Sequence, residues 1–271
     1  VAKREDGKWR ARYRDELNKE HSKHFTRKID AQRWLTDVES SIQRGAYVAP
    51  NAGAVTVRAW FEKWAATQVW AQSTAKNAGY AIRGCDFADM SIKAVKPSHV
   101  QAWVKGLGIP SPEGKVLAAS TIKVRFKVVR AAFRAAVLDA VIVRDPTAQV
   151  KLPQQRKAEA AMLLMSTAQV GELLDASSPE FRPFLAVCAF AGLRLGEASG
   201  LQVGDVDFLR GTIEVRRQIQ GTGKANVRVE PPKHGSERTV YVPRELTDML
   251  AIHITECGVY GDEQWLFGTG D

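Results

Sequence analysis

Nowhere in the chain do eighteen apolar residues follow one another, so no segment is long and apolar enough to cross a bilayer as a helix. A charged-then-apolar start of signal-peptide type is missing, as is a C-terminal lipidation box, and the chain is expected in the cytoplasm with no membrane partner. Cysteine is scarce. Cys85, Cys188 and Cys257 are odd in number, far apart and without CxxC spacing, which argues against both a disulfide framework and a structural zinc site. His21 and His24 stand three apart in a stretch of strand character and therefore on opposite faces, so "HSKH" is not a ligand pair. The "GTGK" ending at Lys224 has no glycine five residues before Gly223 and no Ser or Thr after the lysine, which excludes a phosphate-binding P-loop. No internal repeat and no low-complexity tract occurs.

Acidic residues are unevenly short. The net charge of +9 over 271 residues divides into +4 for residues 1–50, +11 for 51–157 and −6 for 158–271. A basic excess confined to the first two thirds is the footprint of a polyanion partner, because cations that neutralise phosphates release counterions and supply sequence-independent affinity. A solvated basic surface would carry the same charge for solubility alone. At this length two or three domains are expected.

Within the first segment, "GKWRARYRDELNKEHSKHFTRK" alternates with period two. Trp9, Ala11 and Tyr13 fall on one side of a strand and Lys8, Arg10, Arg12 and Arg14 on the other. A second strand is expected near His21 to Arg27, and "IDAQRWLTDVESSIQRG" reads as a helix closing at Gly45, with Trp34, Val38 and Ile42 at helical spacing. The economical fold is a small sheet backed by one helix. Four residues of strand span roughly 13 Å, so Arg10 and Arg14 can bracket neighbouring phosphates or base edges in a major groove that admits a β-ribbon. The competing reading is an exposed edge strand charged against aggregation.

"YVAPNAGAV" (47–55) has the composition of a linker, and beyond it only helical patterns follow. Ser98 and Gln101 have capping-box spacing. In "STIKVRFKVVRAAFRAAVLDA", Ile122, Phe126, Val129 and Phe133 step by four, three and four along one face, while Lys123, Lys127, Arg130 and Arg134 step identically along another. No acid stands between Ser120 and Leu138. A structural helix normally intersperses acids with bases for i,i+4 pairing, so this stripe reads as a DNA-facing surface, with a solvated face as the alternative.

The polar stretch 151–160 reads as a second linker. Ser166 and Gln169 then open another capped helix, and "GTIEVRRQIQ", "NVRVEPPK" and "RTVYVP" suggest a three-stranded antiparallel sheet within a helical domain. In "CAFAGLRLGEASGL" the always-charged Arg194 sits in a segment that otherwise reads as core; it must find an internal partner, for which Glu197 at i+3 is placed, or await an anionic ligand.

"FAGLRLGEASGLQVGDVDF", followed by "PPKHGSERTVYVP", resembles the tyrosine recombinase family, in particular the phage and mobile-element integrases that carry an extra N-terminal arm-binding domain. Gly192, Leu193, Arg194, Glu197, Gly200, Leu201 and Asp205 match its TGLR-x-x-E motif and the residues after it. The resemblance covers nearly the whole chain in domain order; the specific motifs lie in the third segment. It implies an α+β multidomain fold: an arm-type DNA-binding domain at 1–48 with a three-stranded sheet and helix, a helical core-binding bundle at 54–150, and at 161–271 the first part of a mostly helical catalytic domain with a small antiparallel sheet.

The same resemblance implies site-specific DNA recombination, the integration or excision of a phage or mobile element through a 3′-phosphotyrosyl link, without metal, ATP or other cofactor. Arg194 would bind the scissile phosphate and Lys233 would donate a proton to the leaving 5′ oxygen. Lys233 stands in a "PKHGSER" context unlike the commoner one, with Lys224 as a nearby competitor. Implied partners are double-stranded DNA at core and arm-type attachment sites, a tetramer on that DNA and a host DNA-bending protein, in the cytoplasm of a bacterial host. The family's His-x-x-Arg motif and tyrosine nucleophile are expected beyond residue 271: His253 is followed by Ile254, Thr255 and Glu256, and none of Tyr13, Tyr47, Tyr80, Tyr241 and Tyr260 has the nucleophile's context. The alternative reading is a catalytically incomplete DNA-binding protein built on the same scaffold.

Overall fold

The computed structural model describes residues 1–15, 18–110, 114, 116–154, 164–221 and 226–268. The chain divides into two compact units, Val1–Ala161 and Met162–Asp271.

The first unit begins with an antiparallel sheet of β1 (Ala2–Lys3), β2 (Trp9–Arg14) and β3 (Glu20–Phe25) in the order β1-β2-β3, backed by α1 (Lys28–Gln43). β2 is thus the central strand, with Arg10 opposite both Ala2 and His24. Only Trp9 and Arg10 are paired on both sides; Ala11–Arg14 pair with β3 alone, so at Arg12 and Arg14 the strand keeps an edge on which charge also guards against aggregation. The alternation holds: Ala11 and Tyr13 are buried while Arg12 and Arg14 are exposed. The small core is aromatic rather than aliphatic. Tyr13 stacks on His21, Trp34 meets Tyr13 edge-on and lies tilted against Phe25, and the Tyr13 and Tyr47 hydroxyls hydrogen-bond at 2.7 Å. The Lys28 and Lys23 ammonium groups lie 5.4 Å from the ring centroids of Trp9 and Phe25 respectively, so their stems cover aromatic rims that burial alone leaves open.

Residues 47–55 are less free than their composition suggests. Gly53 is buried in a short 3₁₀ turn, its carbonyl accepts from Ser91 Oγ at 2.6 Å, and an added Cβ would lie 2.8 Å from Lys93 Cβ. The segment is docked on the helices that follow: α2 (Val57–Ala65), α3 (Gln72–Arg83), α4 (Pro97–Gly106) and α5 (Ala119–Leu138). Ile122, Phe126, Val129 and Phe133 of α5 are all buried, as the stripe requires. The two buried indoles satisfy their donors, Trp60 on the Ala132 carbonyl at 2.8 Å and Trp103 on that of Gly84 at 2.6 Å.

The capping box at Ser98 does not form. Pro97 takes the first helical position and Lys96 caps, with its N–H donated to His99 Nδ1 at 3.2 Å, because a proline fixed at helical φ starts the helix two residues early. Gln101 instead braces the end of the bundle, donating to the Lys151 carbonyl and accepting from its N–H.

In the second unit, α6 (Thr167–Ala176) opens with the expected Ser166–Gln169 box. α7 (Arg182–Phe190), α8 (Leu195–Ser199) and α9 (Arg244–Cys257) pack around Val187, Leu201, Ile213, Leu250 and Leu266. The strands differ from the expected single sheet of three runs. β4 (Val206–Asp207), β5 (Thr212–Val215) and β8 (Arg238–Tyr241) form one sheet, with Ile213 between Val206 and Val240, and β6 (Gln218–Gln220) pairs with β7 (Arg228–Glu230) as a separate hairpin. "GTIEVRRQIQ" breaks in the middle because Arg216 and Arg217 both reach the buried Asp205 carboxylate, which turns the chain between β5 and β6.

Phe133→Ala is expected to lower the stability of the chain by about 3–5 kcal/mol, since the ring is buried against Phe87. Lys127→Gln, on the solvent side of the same helix, should stay within about 0.5 kcal/mol; urea denaturation of both variants checks the pair.

Candidate nucleic-acid interface and phosphate site

Three cationic surfaces arise from three kinds of local structure. On the outer face of the N-terminal sheet, Arg10, Arg12 and Arg14 stand at alternate positions. Glu20 Oε1 lies 3.8 Å from both Arg10 and Arg12, and Arg14 donates to the Asn18 carbonyl and side chain. His24, opposite Arg10, accepts from Arg4 on the same face. One carboxylate at that distance cannot neutralise three guanidinium groups, so the face keeps a cationic surplus.

On α5, Lys123, Lys127, Arg130 and Arg134 are all exposed, and among the described residues no acidic side chain pairs with any of them. Arg58 of α2, by contrast, makes a two-pronged pair with Asp89 at 2.8 and 3.1 Å. Beside α5 packs α3, which sequence reasoning did not single out. Its exposed face holds Gln72, Ser73, Lys76, Asn77 and Tyr80, and Arg83 lies 4.7 Å from the Tyr80 ring centroid. The usable signal was negative: no acid occurs from Ala71 to Cys85.

The third surface surrounds Arg194. After α7, Gly192 adopts φ +63°, a left-handed conformation that glycine enters without strain. This turn buries Leu193 and leaves Arg194 as the extended N-cap of α8. Arg194 is therefore not enclosed in core, contrary to the apolar look of its segment: its side chain is 58% exposed, and the buried group is Glu197, at 0%. Glu197 occupies the third position of α8, where its Oε2 accepts the Arg194 backbone N–H at 3.0 Å; its Oε1 accepts from Arg194 Nη1, and its Oε2 also accepts from Arg238 Nη2 at 2.8 Å. Burial pushes the Glu197 carboxyl up. The hydrogen bonds from Arg238 and from the backbone and side chain of Arg194 outweigh burial and draw the pKa down to about 2.

The loop between β7 and β8 meets this anchor. Lys233 begins a 3₁₀ turn, Lys233–Gly235, closed by Gly235 N–H on the Pro232 carbonyl. Three residues after Lys233, Ser236 Oγ lies 3.4 Å from Arg194 Nη1, and at the other end of the loop the Pro231 carbonyl accepts from Gln218 at 2.7 Å. Lys233 itself is exposed, and among the described residues no side chain is bonded to it. Lys224 lies outside the described residues. The hairpin is seated against α8 because Gly196 has no side chain: a Cβ there would lie 2.7 Å from the Ile219 carbonyl oxygen. Arg217, joining Asp205 and the Gly200 carbonyl, ties the root of the hairpin to the far end of α8.

The structure thus gathers Arg194, Glu197, Ser236 and Arg238 directly and brings the Lys233 loop to them. The arginine row and the α5 stripe belong to the other unit. Among the described residues no group of three or more His, Cys, Asp or Glu side chains could hold a metal ion. His253 is buried, with Nε2 against the Leu266 carbonyl at 3.0 Å. Chemically, an exposed guanidinium held by a buried anion offers its outer N–H groups to phosphate oxygens, and a lysine ammonium on the loop that meets it is of the kind that can supply a proton.

Because Glu197 is more acidic in the folded chain than its ordinary value of 4.5, its contribution to stability is present above that pH and lost as pH falls towards about 2. On the order of 3 kcal/mol should disappear across that window, and Glu197→Gln should remove this acid-dependent part; denaturant titrations at stepped pH measure it.

Residues 1–44 match the family model described as phage integrase, N-terminal domain. A putative prophage phiRv2 integrase of Mycobacterium tuberculosis is 22% identical over 272 residues, covering 96% of this chain and 70% of its own length. A tyrosine recombinase of Pseudothermotoga lettingae is 26% identical over 183 residues, 67% of this chain and 57% of that protein. A crystal structure of a lambda integrase tetramer bound to a Holliday junction shares the fold with a TM-score of 0.57 at 18% identity, over 98% of this chain and 73% of that one. Residues 1–44 thus match a phage-integrase N-terminal domain, and over most of its length the chain is similar to prophage integrases and tyrosine recombinases, whose fold it shares.

Proposed function

We propose that the chain acts in site-specific recombination of DNA, integrating or excising a phage or mobile element by strand cleavage and rejoining. The observation that carries this reading is the exposed Arg194 guanidinium, held by a buried carboxylate and met by the loop that carries the exposed Lys233. That cationic spot lies in a segment, 158–271, whose own net charge is −6. Electrostatics of the segment as a whole do not require it; a localised anion does. In the proposed reaction Arg194 binds the scissile phosphate and stabilises the charge that grows on its oxygens, while Lys233 protonates the leaving 5′ oxygen.

Residues 1–48 are assigned to arm-type sites, with Arg10, Arg12 and Arg14 directed at DNA. Residues 54–150 are assigned to the core site, with Lys123, Lys127, Arg130 and Arg134 directed at phosphates. Residues 161–271 are assigned to the catalytic domain. Tethering two binding modules raises the effective concentration of the second contact once the first is made. The lambda integrase relative was solved as a tetramer on a Holliday junction, and the same assembly on DNA is proposed here. A host DNA-bending protein and the bacterial cytoplasm complete the proposal.

Replacing Lys123, Lys127, Arg130 and Arg134 together by Gln is expected to weaken DNA binding and to flatten the log–log salt dependence by about 0.9 for each phosphate no longer neutralised. Fluorescence anisotropy over a KCl series measures both, and an unchanged slope would refute the assignment. Arg194→Ala is expected to abolish cleavage of core-site DNA by the recombinase while arm-site binding persists. Loss of arm-site binding as well would indicate misfolding rather than a missing phosphate ligand.

A further inference from the structure

Arg238 is not part of the motif that marks Arg194, yet it completes the anchor on which Arg194 rests. It leaves β8 to donate through Nη2 to Glu197 Oε2 at 2.8 Å and through Nη1 to the Ser236 carbonyl at 3.3 Å, and its side chain is 33% exposed. Glu197 has no solvent to share, so the direction in which each oxygen points is decided by its two arginines. With Oε2 occupied by Arg238 and by the Arg194 backbone, only Oε1 remains for the Arg194 guanidinium, which fixes that group by one edge. Through the Ser236 carbonyl the same Arg238 holds the loop whose Ser236 hydroxyl touches Arg194 and whose first turn carries Lys233.

We propose that Arg238 is a positioning residue: through Glu197 and Ser236 it sets the outward orientation of the Arg194 guanidinium and its spacing from the Lys233 loop. The inference rests on the reading of Arg194 as a phosphate ligand. Both Nη atoms of Arg238 are engaged within the protein, so the role assigned to it is positioning. Without it, Glu197 Oε2 would compete for the Arg194 guanidinium, drawing the outer N–H groups inward, and the loop would lose its link to the buried carboxylate.

The test uses the 271-residue chain and a duplex selected from a random pool for binding to it, together with versions of that duplex each bearing one uncharged methylphosphonate. The quantity read is the ratio of affinities for the native and the singly neutralised duplex. For the unaltered chain, neutralising the phosphate held by Arg194 is expected to cost tenfold or more, and in Arg194→Ala that ratio should fall to near one. Arg238→Met should also bring the ratio near one although Arg194 is present, whereas Arg238→Lys should restore most of it. The pair Glu197→Gln with Arg238→Met, which leaves no unpaired buried charge, should behave like Arg238→Met. A general loosening of the fold weakens both duplexes alike and keeps the ratio, so an Arg238→Met ratio equal to that of the unaltered chain overturns this inference alone. A ratio that survives Arg194→Ala at every phosphate overturns the reading of Arg194 and this inference with it.

Discussion

A single buried carboxylate organises the second unit. Glu197 is a helix cap, the anchor of Arg194 and the partner of Arg238, and none of these roles is separable from the others because its two oxygens serve all three. An ionised group in that position would be costly without its donors, so the cost of burying it becomes a penalty on any arrangement in which the arginines point elsewhere. The surrounding architecture serves this requirement. Gly192 turns the chain so that Arg194 caps α8, and Gly196 lets the β6 backbone approach until the hairpin leading to Lys233 is seated. Asp205 repeats the device at the other end of α8, where a nearly buried carboxylate takes two arginines and divides one β run into two.

The first unit solves a different problem. Its N-terminal sheet and helix are held by aromatic rings, Trp34 edge-on to Tyr13 and tilted against Phe25, with the Lys23 and Lys28 ammonium groups over the Phe25 and Trp9 rings. The helical bundle has a conventional buried core, and among the described residues the basic side chains of the α5 stripe have no acidic partner. The α5 surface is cationic through the omission of acids, the sheet face through its row of arginines.

Much of this was legible beforehand, and the reasons are specific. Period-two alternation at Trp9 to Arg14 and the twin stripes of α5 are properties of single elements, and single elements obey their own periodicity. What escaped were features that depend on partners distant in sequence. The exposure of Arg194 follows from a turn at Gly192 and from a carboxylate that takes the buried place instead; local hydrophobicity suggested the opposite. Arg238, 44 residues after Arg194 in number, carries no motif, and only the fold brings it to Glu197. The break at Arg216 and Arg217 needed knowledge of where Asp205 would lie. Ser98 and Gln101 had the right spacing for a cap and lost to the proline one residue earlier.

The central placement of β2 carries one more implication. Its neighbours on both sides lock its register, so a slip by one residue would turn three arginines under the helix and bring Ala11 and Tyr13 out to water. The interval between successive arginines is therefore a property of the extended backbone, about 6.8 Å for every second residue, and not of side-chain choice. Substitutions can change which groups this face presents, one position at a time. The metre in which those groups are presented is inherited with the sheet.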